Sequence, residues 1–171
     1  MGTQFLIDYA MIKYQTSNIL THRKIGMIDD YESFDIGLFS DVINFDEFDY
    51  EIIHKTNHAG YYMKWHLDNA KLISHKEAHM DKTVGPSHIQ ISPKHTIHYY
   101  LRRPVFSLIV YESTYGKDFT GGTLEFIDHT IIKPMRGQYV FFNSNELHRV
   151  NRMLSGSRSS VLVKFYPKTS I

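Results

Sequence analysis

Between Val105 and Tyr166 the chain is a succession of short β-type runs cut by turn residues, and nothing else in it constrains the fold as much. VFSLIVYES, TLEFID, QYVFFN and SSVLVKFY are rich in Val, Ile, Phe and Tyr, which suit a pleated, half-buried surface. Gly121-Gly122 closes the loop after the first run, and Pro134 to Gly137 makes the turn that follows a short IIK strand. Short strands at nearly regular spacing, punctuated by Gly and Pro, predict a sandwich or barrel. A length of 171 residues allows one such domain with a real core and falls short of two.

Upstream, Tyr50 to His54 and Tyr61 to Trp65 are also β-rich, and TNHAG between them reads as a turn. FLIDYAMIKY near the N-terminus reads as a strand and MIDDYESF as a turn. From Ser33 to Phe48, the residues Phe34, Ile36, Phe39, Val42, Ile43 and Phe48 fall close to helical spacing. That pattern predicts one amphipathic helix, packed as a buttress on a sheet. The expected organisation is a single domain over 1–171, with a support segment at 1–49 and a β core at 50–167. Residues 70–101 carry few β signals and many polar groups. Such a length without clear elements points to a lid or a substrate-contacting wall.

Charge excludes some partners. A net charge of +1 and a pI near 8.0 give no electrostatic case for nucleic acid or an anionic membrane. The absence of cysteine removes disulfides and thiolate chemistry. No apolar run approaches membrane-spanning length and the N-terminus lacks a signal-peptide pattern, so the expectation is a soluble, intracellular protein. Nothing in the sequence sets an oligomeric state.

Histidine is the unusual residue, at 11 copies. Two H-x-D triplets occur, His66-Leu67-Asp68 and His79-Met80-Asp81, where chance in this composition gives roughly 0.7. The first ends an aromatic β run and can be held rigidly, whereas the second sits among Lys, Glu and Thr and reads as a solvated loop. The five histidines from His75 to His98 match no zinc spacing. His148 follows another apolar run, and with His66 and Asp68 it makes two histidines and one carboxylate, a set that binds a metal on one face. Arg158, ten residues on, opens the last strand as a candidate anion clamp. Its ordinary alternative is a surface salt bridge. Ser160 lies on the same side of that strand and can add a hydrogen bond. Tyr62 and Trp65 are candidates to line a cleft, although aromatic residues in strands are usually core.

Taken in order, His66-x-Asp68, Gly121-Gly122-Thr123-Leu124-Glu125-Phe126, Pro134-x-x-Gly137, Phe142, His148-x-Val150 and Gly156-x-Arg158-x-Ser160 resemble the iron(II)- and 2-oxoglutarate-dependent dioxygenase superfamily, in its prolyl 4-hydroxylase-like branch. The resemblance covers about residues 50 to 167. Three positions depart from it. Asn57 stands where many members have tyrosine, Tyr111-Glu112-Ser113 where Tyr-Leu-Asn is common, and Arg152 where proline is common.

The resemblance implies a double-stranded β-helix, a jelly-roll barrel, with Fe(II) held by His66, Asp68 and His148. It implies 2-oxoglutarate as cosubstrate, with its distal carboxylate on Arg158, Ser160 and Tyr111. It also implies O2 as oxidant, succinate and CO2 as products, and ascorbate as an accessory reductant. The substrate it implies first is a peptide or protein side chain such as proline. Hydroxylation of a small molecule or free amino acid is the alternative within enzymes. A cupin-like metal-binding module without redox activity is the alternative outside them, and it has no need of the Arg158 clamp.

Overall fold

The protein is described by a computed structural model over residues 22–74, 88–92, 95–99 and 103–168. In chain order the strands are β1 (Lys24–Met27), β2 (Phe48–His58), β3 (Met63–His66), β4 (Ala70–Ser74), β5 (His88–Ser92) and β6 (His95–Tyr99). They continue with β7 (Phe106–Tyr111), β8 (Phe119–Gly121), β9 (Leu124–Phe126), β10 (Ile131–Ile132), β11 (Gln138–Asn143), β12 (His148–Val150) and β13 (Met153–Pro167). The major sheet runs β1-β11-β7-β13-β2, with β8 paired to the start of β13. The minor sheet runs β10-β9-β12-β3, and a third runs β4-β6-β5. The strand pairings within these three sheets are antiparallel.

β13 is the hub, paired with β7 on one side and β2 on the other. Side chains alternate along it. Val161, Val163 and Phe165 join Leu108, Val110 and Phe141 in a core on the outer face of the major sheet. Tyr111, Val140 and Phe142 join Leu124, Phe126 and Ile132 in a second core between the two sheets. Burial on both faces explains why these strands read as continuous apolar runs.

The amphipathic helix expected over 33–48 is not formed. Only Ile36–Phe39 winds, into a 3-10 turn capped by the Asp35 carboxylate, which accepts from the Gly37 amide at 2.9 Å. The Asn44 side chain likewise accepts from the Asp46 amide at 3.0 Å. Asp, Asn and Ser in this stretch give the backbone local partners that compete with a helix, and Gly37 weakens it further. The apolar spacing is used all the same: Phe39 and Ile43 sit in the outer core, with Phe34, Ile36, Val42, Phe45 and Phe48 packed against it.

The described parts of residues 70–101 are also more ordered than their composition suggests, since β4, β6 and β5 pair in register. HIQIS and HTIHY carry a period-two alternation that polar residues disguise. The N-terminal run FLIDYAMIKY and the triplet His79-Met80-Asp81 lie outside the described residues. No helix among the described residues is long and apolar enough to cross a membrane.

Candidate metal centre

Strand pairing brings the two histidines together. His66 ends β3 and His148 opens β12, and the two are direct register partners. Their rings lie 4.2 Å apart between centroids. Asp68 falls two residues beyond the end of β3, on a bend rather than in the strand. Its amide donates to the Ser144 carbonyl at 3.0 Å, which pins the bend to the loop after β11. Asp68 Oδ1 then lies 3.6 Å from His66 Nε2 and 3.4 Å from His148 Nε2. One ligand atom from each residue lies within 4.8 Å of the others, the reach of a single ion.

Each histidine is oriented through its other nitrogen. His66 Nδ1 donates to the Lys64 carbonyl at 2.7 Å and His148 Nδ1 to the Glu146 carbonyl at 2.8 Å. Those bonds place the proton on Nδ1 and leave each Nε2 lone pair facing Asp68, the tautomer a metal needs. Ser107 on β7 donates to Asp68 Oδ2 at 2.5 Å, and its oxygen is 3.0 Å from Ser144 Oγ. Burial would raise the Asp68 carboxyl, but His148, His66 and Ser107 outweigh it and hold the group well below the usual carboxylate range. Burial and the neighbouring His148 push His66 down to about 4, so it stays neutral at ordinary pH.

A further network steadies β12 from behind. Arg23 forks onto Glu146 and Asp128 and lies 3.9 Å over the Phe126 ring. Glu146 is the residue whose carbonyl fixes His148.

The triad lines a cavity of about 410 Å³ between the sheets. Arg158, Ser160 and Tyr111 line it as well, so the residues singled out from the sequence share one site. Arg158 is no surface residue: it is 5% exposed. Its guanidinium donates to the Gly122 carbonyl at 2.7 Å and to Asn57 Oδ1 at 3.2 Å. Gly122 adopts a left-handed conformation (φ +62°), and a Cβ there would meet Met153 Sδ at 2.3 Å, so only glycine presents this carbonyl without strain. Arg158 Nε is buried without a partner, and no carboxylate pairs with the guanidinium among the described residues. Tyr111 is enclosed, with the guanidinium 6.0 Å from its ring centre, and burial pushes its hydroxyl up to about 12. It therefore stays a phenol, able to donate.

The aromatic residues around β3 divide between two surfaces. Tyr61 faces this cavity, where burial raises its hydroxyl and Arg158 lowers it. Tyr62 is exposed and stacks under Arg152, 4.4 Å away. Trp65 lines the cavity and carries Arg149 at 4.6 Å. Sequence reasoning passed over Ser107, Ser144 and Tyr61. Ser107 left a trace as the one polar residue within VFSLIVY.

A buried N,N,O donor set in one cavity with a buried guanidinium that has no carboxylate partner among the described residues fits a divalent ion and an anion together. The likeness to known proteins agrees. No curated protein matches the sequence. Among solved structures, the viral collagen prolyl hydroxylase of Paramecium Bursaria Chlorella virus-1, in a 2-oxoglutarate complex, is 15% identical with a TM-score of 0.56, over 99% of this chain and 92% of that one. A Pseudomonas putida prolyl-4-hydroxylase is 18% identical with a TM-score of 0.45, over 70% and 54%. HygX from Streptomyces hygroscopicus, with nickel and 2-oxoglutarate bound, is 12% identical with a TM-score of 0.49, over 98% and 80%. The first of these shares the fold. The 2OG-Fe(II) oxygenase pattern matches residues 52–166, from the middle of β2 almost to the end of β13, and the chain belongs to that superfamily.

Proposed function

We propose that His66, Asp68 and His148 hold Fe(II), that Arg158 with Ser160 and Tyr111 receives the distal carboxylate of 2-oxoglutarate, and that this dioxygenase hydroxylates a peptidyl residue such as proline. The two facing sheets are read as the double-stranded β-helix of the family. The observation that carries the reading is Arg158, a buried guanidinium in the same cavity as the triad, with an unbonded Nε and no carboxylate paired to it among the described residues. A cation so placed calls for an anion.

When bound, the iron and cosubstrate supply O2 activation coupled to decarboxylation, giving succinate, CO2 and a hydroxylated C–H bond. The chain contributes position and exclusion of water. His66 and His148 present Nε2, and Asp68 presents Oδ1 while Ser107 occupies Oδ2. Arg158 orients the cosubstrate along the cavity with a planar fork that matches a carboxylate. Ile109, Leu124 and Val150 line the same cavity and keep it apolar around the reacting atoms.

The peptide reading is taken from the likeness to the viral collagen prolyl hydroxylase, which shares the fold. The test is a peptide-library hydroxylation screen with Fe(II) and 2-oxoglutarate, read by mass spectrometry and by succinate release. Proline-containing members should gain one oxygen atom. Turnover confined to free amino acids would replace the peptide reading, and no succinate from any arm would defeat the whole.

A further inference from the structure

Three lysines line the cavity: Lys64 is exposed and lends its carbonyl to His66, while the other two have no part in the chemistry so far. Lys55 on β2 and Lys164 on β13 both line it, and both are half-buried. Register fixes where they stand. Lys55 lies opposite Ser160, and Lys164 lies opposite Ser107, whose hydroxyl holds Asp68. Arg158, Ser160, Leu162 and Lys164 therefore share the inner face of one strand, with Lys55 one strand over.

Neither lysine has an ion pair or a hydrogen-bond partner among the described residues. Glu51, the register partner of Lys164, instead accepts from the Tyr166 hydroxyl at 3.4 Å. Asp68 is the cavity's only carboxylate among the described residues. Burial lowers the Lys55 ammonium; Asp68 opposes this, and Lys164 and Arg158 add to it, so the cations are close enough to repel.

Charge balance shows what is missing. With Fe(II) and 2-oxoglutarate bound, the two charges of the ion and that of Arg158 are matched by Asp68 and the two carboxylates of the cosubstrate. Lys55 and Lys164 are then left without a counter-charge in a partly desolvated cleft, where unpaired charge is costly. A lysine ammonium is a mobile point charge, suited to an anion that arrives and leaves each cycle, while the rigid arginine fork suits the cosubstrate.

We propose that Lys55 and Lys164 form a second anion-binding site in the cleft, and that the molecule hydroxylated there carries a carboxylate, either on a residue flanking the target in a peptide or on a free acid. This rests on the dioxygenase reading of the cleft.

The test pairs each acidic probe with its isosteric amide: proline-containing hexapeptides with flanking Glu or Gln, and free glutamate against glutamine. Turnover is read by mass spectrometry with Fe(II) and 2-oxoglutarate. Binding is read from fluorescence of Trp65, the protein's single tryptophan, which lines the cavity, with Mn(II) in place of iron. The wild type should favour the acid by at least ~10-fold in one arm, and that arm identifies the source of the carboxylate. The Lys55→Gln/Lys164→Gln variant should lose the preference, and Lys55→Arg/Lys164→Arg should keep it. If the double glutamine variant does not fold, Lys55→Gln alone and the wild-type comparison decide. Equal or no binding of acid and amide by the wild type would overturn the proposal. So would a preference that survives both glutamines, or a glutamine defect seen only in 2-oxoglutarate saturation. Absence of succinate in every arm counts against the dioxygenase reading instead, while the fluorescence comparison still reports on the lysines.

Discussion

Replacing Arg158 by methionine separates the anion clamp from the metal centre, because Arg158 lies on the major sheet and the two histidines on the minor one. Methionine keeps most of the stem volume and removes the charge. For cosubstrate binding, the change leaves a desolvated carboxylate without its partner, a loss of about 3–5 kcal/mol. At about 1.4 kcal/mol per factor of ten, affinity for 2-oxoglutarate should fall roughly 100- to 1,000-fold or more. For the protein alone the balance differs. The Gly122 carbonyl and Asn57 Oδ1 each lose a hydrogen bond, about 1 kcal/mol apiece, and the burial cost of an unpaired guanidinium disappears. The melting temperature without cosubstrate should therefore hold or rise. The assay is thermal unfolding with Mn(II), with and without 2-oxoglutarate. At a hundredfold excess over the wild-type dissociation constant the cosubstrate should stabilise the wild type by about 2.7 kcal/mol and the variant by about 0.4 kcal/mol or less. Calorimetric titration gives the affinities directly. A variant that melts far lower on its own, yet binds 2-oxoglutarate unchanged, would show that Arg158 is a structural residue and refute the clamp.

Asp68→Ala should abolish stoichiometric metal binding, and Ser107→Ala should weaken it about 10- to 100-fold by releasing Asp68 Oδ2, both measured with a chelating competitor. Metal affinity should also depend on pH through His148. Burial lowers that imidazolium, but Asp68 and the Glu146 carbonyl outweigh it and raise it above the ordinary value, so a metal must displace its proton. Affinity should be full above the raised His148 pKa and fall by about tenfold per pH unit below it; a flat profile from pH 8 to pH 5 would contradict this. Arg23→Ala removes the fork that holds Glu146 and Asp128, and it should cost up to ~10-fold in metal affinity and lower the melting temperature. Unchanged values in both would free β12 from that support.

The three residues that the structure brings together as a candidate metal site were legible because local pattern carried them. His66-x-Asp68 ended an aromatic run and His148 followed an apolar one, so each histidine needed only its own stretch of chain to be noticed. Arg158 and Ser160 were legible from their spacing to His148. What stayed hidden depends on which strands become neighbours. Asn57 read as a departure from the family pattern, yet it accepts from the Arg158 fork because β2 lies against β13. Ser107 and Ser144 meet Asp68 across 39 and 76 residues of chain, a juxtaposition that no local window contains. The misread helix has a different cause. Phe34, Ile36, Phe39, Val42 and Ile43 are spaced to cover one apolar surface, and an irregular chain folded over the sheet covers it as well as a helix does. Periodicity reported burial there, and Asp35, Gly37 and Asn44 decided the backbone.

β13 explains how one site can join a metal centre to a charged cleft. Its outward residues Val161, Val163 and Phe165 are locked into a core, and this sets the parity of the strand. Arg158, Ser160, Leu162 and Lys164 must then point inward together, and a slip of one residue would put Ser159, Val161, Val163 and Phe165 in their places and remove both cations. At about 3.3 Å per residue, the six steps from Arg158 to Lys164 span roughly 20 Å, so the cations are set along the cleft rather than at one point. The same pairing places Ser107 opposite Lys164, which ties Asp68 to the register of the major sheet although the histidines belong to the minor one. Packing on the far face of the sheet thus determines how Arg158, Asp68 and Lys164, the three proposed anchors, are spaced. The length of what fits between Arg158 and Lys164 is a property of the strand, and the loops around the cleft are free to vary what enters it.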